Sequence, residues 1–123
     1  MHELSVCLSL MQQVEAIARE HSAREVTQIT LRIGPLSGVE PELLRHSYPL
    51  ATANTVAENA ELIIETAEVV VRCSQCNSES TVAANKLLCA ACGDFRTQVV
   101  SGDELTLLRV ELEHPTEPAT RPE

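Results

Sequence analysis

The sequence predicts an α+β fold: a small mixed or antiparallel three-stranded sheet with two helices on one face, and a cysteine-bearing insertion between two strands. Three observations predict it. The elements follow the order helix, strand, helix, strand, cysteine segment, strand. The strands alternate apolar and polar residues, so each needs one covered face. Four of the five cysteines form two Cys-x2-Cys pairs separated by twelve residues.

Residues 4 to 21 read as an amphipathic helix. Cys7, Leu10, Met11, Val14, Ile17 and Ala18 recur at helical spacing, with Gln12, Glu15, Arg19 and Glu20 largely opposite. Val26 to Ile33 reads as a strand, with Ile29, Leu31 and Ile33 on one side, stopped by Gly34-Pro35. A second helix starts near Pro41, where proline is tolerated and Glu40 and Glu42 suit the positive end of the helix dipole. Leu43, Leu44 and Tyr48 form its expected buried face, and Pro49 is expected to kink or end it. Residues 51 to 60 read as a connection. Glu61 to Arg72 reads as a β-rich run leading directly into the first cysteine pair, and Leu105 to Glu113 as the final strand. The expected division is a discontinuous main domain over 1–72 and 98–114, an insertion over 73–97, and a disordered tail over 115–123, where Pro115, Pro118 and Pro122 cluster.

Composition narrows the function. A chain of 123 residues with 44% hydrophobic residues can build one core. With aromatics at 2%, a base-stacking platform is strongly disfavoured. Nine basic against 18 acidic residues give a net charge of -9, which disfavours phosphate backbones and anionic membranes. No apolar run is long enough to span a bilayer, and Met1-His2-Glu3-Leu4-Ser5 shows no secretory pattern. The expected compartment is the cytoplasm, where paired cysteines favour metal over disulfides.

Cys73-Ser74-Gln75-Cys76 and Cys89-Ala90-Ala91-Cys92 have the spacing of two zinc knuckles. Each pair turns two sulfurs toward one ion, and two pairs complete a tetrahedron. Gly93 and Asn77 follow the pairs, where the backbone often needs positive φ. Redox-active pairs and a rubredoxin-like iron site are the rival readings. Four thiolates leave no open position, so Zn(II) here is expected to be structural, in a zinc-ribbon-like domain. Cys7 reads as a small buried hydrophobe. His21, His46 and His114 read as ordinary surface or helix-end residues. There is no nucleophile–base pair and no phosphate loop, so an enzyme is not expected.

At the N-terminus, a free amine, the following backbone amides and the His2 imidazole lie within one short stretch. Deprotonated amides would make a planar nitrogen set suited to Ni(II) or Cu(II). By spacing alone, a solvated His2 with no role is the commoner outcome. The sequence, however, resembles the HypA/HybF family of hydrogenase maturation nickel metallochaperones. The resemblance is carried by Met1-His2-Glu3-Leu4-Ser5, by Ile33-Gly34-Pro35-Leu36-Ser37-Gly38-Val39-Glu40-Pro41, by both cysteine pairs, and by Ser101-Gly102-Asp103-Glu104-Leu105, in family order over residues 1 to 113.

The resemblance implies an α/β nickel domain with an inserted zinc domain. It implies delivery of Ni(II) to the [NiFe] hydrogenase large subunit together with a HypB-type GTPase. It makes His2 the key nickel ligand, completed by nitrogens of Met1, His2 and Glu3, with Glu3 and Glu40 as accessory positions. It makes Cys73, Cys76, Cys89 and Cys92 the zinc ligands. Asn77 replaces a common glycine, and Pro49 interrupts a helix that continues in the family. The alternative is a zinc-ribbon protein-interaction adaptor without nickel chemistry.

Overall fold

Nineteen residues, His2–Glu20, form helix α1 in the computed structural model, which describes residues 2–114. The expected heptad-like stripe is the buried one: Cys7, Leu10, Met11, Val14 and Ala18 are all buried, while Ile17 is only half-buried. The helix ends where Ser22 takes a φ of 54°. The amides of His21 and Ala23 close the last turn on the carbonyls of Ile17 and Ala18.

Strand β1 (Glu25–Ile33) lies between two others in a sheet of order β2-β1-β6, with β2 at Glu61–Thr66 and β6 at Leu105–Glu113. Hydrogen bonds fix the directions. At the start of β1 the Arg24 amide donates to the Glu113 carbonyl, and past its end Gly34 donates to Glu104, so β1 and β6 run antiparallel. Gln28 reaches Glu61 and Arg32 reaches Glu65, so β2 advances in step with β1 and the pair is parallel. Parallel neighbours need a long crossover, and helix α2 (Pro41–Thr52) lies within it. The sheet is therefore mixed, within the expected α+β class.

Helix α2 corrects the expected burial of Leu43 and runs on past Pro49. Leu44 and Tyr48 are buried, but Leu43 is 52% exposed. Position 43 precedes the buried residue by one, a rotation of about 100° around the helix. Pro49 does not end the helix, which continues to Thr52. Proline on the exposed side forfeits one backbone bond. The surrounding turns are anchored instead by Tyr48, whose hydroxyl donates to the Ala60 carbonyl, and by Thr52, whose hydroxyl donates to Tyr48. Truncating Leu44 to alanine is expected to cost about 2–5 kcal/mol, and truncating Leu43 less than about 1 kcal/mol. Urea denaturation of the two variants checks this; equal losses would contradict the packing.

The run from Glu61 to Arg72 is also corrected: it is two strands in two sheets. After β2 the chain breaks at Ala67 and Glu68, then enters β3 (Val69–Cys73). The Ala67 amide donates to the Ile33 carbonyl, which turns the chain out of the first sheet. Strand β3 is the centre of a second antiparallel sheet, β4-β3-β5, with β4 at Glu79–Val82 and β5 at Thr97–Ser101. Neither β4 nor β5 is signalled by the sequence pattern.

The chain divides into two compact units. Among the described residues, one comprises 2–30, Glu42–Ile63 and 107–114; the other comprises Leu31–Pro41 and Ile64–Thr106. The first is centred on Cys7, Val14, Val26, Ile29 and Leu44; the second has Leu31, Ile33, Val69, Val71, Cys73 and Cys89. The proline-rich tail, expected to be disordered, lies outside the described residues.

Candidate metal centres

The two cysteine pairs are built alike. In the first, the Cys73 amide donates to the Ser78 carbonyl and the Asn77 amide returns to the Cys73 carbonyl. In the second, the Cys89 amide donates to Asp94 and the Gly93 amide returns to Cys89. Both turns need a left-handed residue in the same place, and Asn77 (φ 64°) and Gly93 (φ 79°) supply it. In each pair the first cysteine is buried and the second exposed.

Each turn also aims amides at sulfur. Gln75 and Cys76 donate to Cys73 Sγ at 3.3 and 3.4 Å, and Cys92 donates to Cys89 Sγ at 3.4 Å. The turns are tied together through Ser80, whose hydroxyl accepts the Ala90 amide, and through Ser74, whose amide and hydroxyl both donate to the Arg96 carbonyl. These supporting residues have no distinctive sequence signal, and reading the ligands alone misses them.

All four Sγ atoms lie within 4.8 Å of one another, and Cys73–Cys92 and Cys76–Cys89 are each 3.6 Å apart. A disulfide needs about 2.05 Å, so all four are free thiols. A tetrahedron with zinc–sulfur bonds of about 2.3 Å has edges of about 3.8 Å. The donor set therefore fits a tetrahedral zinc ion in number, type and spacing.

Electrostatics favour a cation here. The Cys92 amide is the chief cause that brings the Cys89 thiol down to about 6. The Ser78 hydroxyl and amide lower Cys76. At Cys92 the Asp94 amide favours the thiolate, but the neighbouring sulfurs outweigh it and push that thiol up to about 12. Four sulfurs this close cannot all be anionic alone, and a dication would relieve the repulsion. Beside them Arg96 holds Asp94 down at about 2 through paired hydrogen bonds.

The residues expected to bind nickel lie on other elements. His2 opens α1, and Met1 lies outside the described residues. Glu3 sits half-buried in the first turn of α1, in the first compact unit. Glu40 is exposed immediately before α2, in the second unit, on the rim of a cavity lined by Ile33, Gly34, Pro35, Val39 and Thr66. The structure thus brings the four cysteines together. Cys7 matches its reading as a core residue: it is fully buried, its thiol donates to the Leu44 carbonyl, and burial raises its pKa.

These features define a small α+β protein with a four-thiol cluster shaped for one metal ion. The family described as hydrogenase/urease nickel incorporation, metallochaperone, hypA matches residues 1–112. Hydrogenase maturation factor HypA of Nitrosospira multiformis is 53% identical over 112 residues, covering 91% of this chain and 97% of that protein. The factor of the same name from Aquifex aeolicus is 42% identical, covering 92% and 98%. The fold resembles the solution structure of the Ni metallochaperone HypA from Helicobacter pylori, with a TM-score of 0.69 at 23% identity, covering 92% of this chain and 98% of that one. The chain belongs to the HypA family of nickel metallochaperones for hydrogenase maturation.

Proposed function

We propose that this protein captures Ni(II) at its N-terminus and releases it to a partner during assembly of [NiFe] hydrogenase, without itself catalysing a reaction. The supporting observation is the family match over residues 1–112, which includes the Met1-His2-Glu3 start. His2 is the principal ligand in this reading, with the amine and amide nitrogens of Met1, His2 and Glu3 completing a planar set. Glu3 and Glu40 are accessory acidic groups.

Local structure is compatible with that chemistry. The first amides of a helix have no intrahelical acceptor. Deprotonating the His2 amide for nickel therefore removes no bond from α1. Capture must be reversible, because delivery requires exchange of ligands. Cu(II) is bound more tightly than Ni(II) by such donors, so discrimination rests on metal supply and on the receiving protein. The receiving proteins in this reading are a HypB-type GTPase and the hydrogenase large subunit, in the cytoplasm.

Zn(II) is assigned to Cys73, Cys76, Cys89 and Cys92, with a structural role. When bound it would offset two of the four thiolate charges and cross-link β3 to the second knuckle. The chain's own contribution is the N–H···S bonds and left-handed turns that hold the sulfurs in place.

The test is a nickel titration by calorimetry on zinc-loaded protein beginning at Met1, against a form with one or two residues added ahead of it and against His2→Ala. Both changes are expected to weaken binding at least about tenfold, as losing a ligand exceeds losing an outer-shell partner, with zinc content unchanged. Unaltered affinity in both would overturn the N-terminal site and favour a zinc-stabilised interaction adaptor.

A further inference from the structure

Each exposed thiol of the cysteine cluster faces a buried one across the two knuckles. Cys76 and Cys92 are exposed, and Cys73 and Cys89 are buried. The sulfurs hydrogen-bond in two pairs, Cys73 with Cys92 and Cys76 with Cys89, each at 3.6 Å. Both pairs join the first knuckle to the second. Within each turn, the buried sulfur is engaged instead by backbone amides, those of Gln75 and Cys76 at Cys73 and that of Cys92 at Cys89. A disulfide bond of about 2.05 Å needs each cross-knuckle pair to close by only about 1.5 Å. The two pairings are nested in the chain, so both can form on one fold. A redox-responsive cysteine is accessible and stands beside a second thiol that resolves the first oxidation product. The cluster meets both conditions twice. The fifth cysteine, Cys7, is fully buried and bonded to the Leu44 carbonyl, which makes it an internal control.

We propose that the cluster is a reversible oxidation site for hydrogen peroxide and related hydroperoxides, which join the knuckles through Cys76–Cys89 and Cys73–Cys92 disulfides and so expel zinc. The exposed sulfur of Cys76 attacks a peroxide oxygen. An S–O bond forms as the O–O bond breaks, and the departing hydroxide takes up a proton and leaves as water. The sulfur, now a sulfenic acid, has given two electrons to the peroxide. Cys89 Sγ then attacks it from the other knuckle. The S–S bond forms, the S–O bond breaks, and a second water leaves with the remaining proton. The sum is two thiols and one peroxide giving one disulfide and two waters. Cys92 and Cys73 repeat the sequence. Each disulfide withdraws two of the four ligands from the metal site. The bridges tie together the same two turns that the ion would, so the oxidised protein keeps the β4-β3-β5 sheet. A dithiol reductant reverses both bonds by exchange. The inference rests on the zinc assignment only for the release of the ion, and the pairing of the sulfurs is read separately.

The sequence lends itself to the test. Trypsin cuts after Arg72, Lys86 and Arg96, which puts one cysteine pair on 73–86 and the other on 87–96. The experiment treats the full chain, loaded with zinc and assayed for it beforehand, with hydrogen peroxide. Zinc release is read with a coloured chelator. Free thiols are alkylated, and the tryptic peptides are weighed by mass spectrometry. Loss of zinc is expected, with 73–86 covalently joined to 87–96 and Cys7 alkylated. Dithiothreitol is expected to separate the peptides and restore zinc binding. Two variants at the exposed ligands fix the pairing and do not depend on zinc. Cys76→Ser is expected to join Cys73 to Cys92 and leave Cys89 alkylated. Cys92→Ser is expected to join Cys76 to Cys89 and leave Cys73 alkylated. Peptides that oxidise separately, each within its own turn, overturn the proposal. So do thiols and zinc that peroxide leaves in place, or variants in which the other buried cysteine is the one alkylated. A chain that takes up no zinc before peroxide is added refutes the zinc assignment instead, and the peptide map still decides the pairing.

Discussion

Replacing Cys73 by serine is expected to empty the zinc site and unfold the β4-β3-β5 sheet while α1 and α2 persist. The physical reason is the small apolar core available there. Within Ile64–Thr106 the buried hydrophobic side chains are Ala67, Val69, Val71, Cys73 and Cys89, and two of these are ligands. A structural zinc ion contributes about 10–16 kcal/mol of apparent binding energy, comparable to the whole stability of a domain. Cys73 is the most consequential ligand. It is fully buried, it ends the central strand β3, and its sulfur accepts two amides. Serine offers a harder, shorter donor and leaves those amides poorly satisfied. Cys89→Ser, at the other buried ligand, should behave similarly, and the exposed Cys76 and Cys92 should be milder. Zinc content by mass spectrometry and amide exchange across β3 to β5 check this. Full zinc content in Cys73→Ser would contradict the four-thiolate assignment.

Acid should act on the same site. Protons compete with zinc for thiolates, so affinity falls as pH falls. Asp94 does not limit this. Its folded pKa is depressed to about 2, so its pairing with Arg96 is present above the ordinary carboxylate pKa and is lost only as pH falls through about 2.

Gly34→Ala is expected to destabilise the protein by about 3 kcal/mol or more, the upper range for overpacking. A Cβ at Gly34 would stand 2.1 Å from the Gly102 carbonyl oxygen and 2.2 Å from its carbon. Both are backbone atoms, so no rotamer change relieves the clash. The same two segments are joined by hydrogen bonds from Gly34 to Glu104 and from Leu36 to Gly102. Gly102→Ala should be at least as costly, because a left-handed φ of 112° adds to a 2.8 Å approach to Val69 Cα. Gly38 is the control. It has φ of 83° but nothing within 4 Å, so alanine there should cost only about 1–2 kcal/mol. Urea denaturation ranks the three. Equal losses at Gly34 and Gly38 would show that the close approach carries no energy.

The parts legible in the sequence are those whose cause is local. The buried stripe of α1 follows from helical period, and the span Leu105–Glu113 is bounded as expected. The cysteine cluster follows from ligand spacing, and its left-handed turns from Asn77 and Gly93. What escaped the sequence depends on distant partners. Nothing at Ala67-Glu68 marks a break, because the break is made by Ala67 bonding to Ile33 and by the Ser101 hydroxyl donating to the Glu68 carbonyl. Pro49 reads as a stop, and only Tyr48's bond to Ala60 and Thr52's to Tyr48 anchor the turns around it. Ser80 and Ser74 are unremarkable by type and matter only through contacts ten or more residues away.

The alternation of buried and exposed sulfurs in the cluster has a kinetic consequence. A competing chelator or thiol reaches Cys76 and Cys92 first, since Cys73 and Cys89 are sealed behind the strand and turns. An ion held there would meet competing ligands from the side of the outer pair, so the rate of metal exchange should respond more to changes at Cys76 and Cys92 than at Cys73 and Cys89.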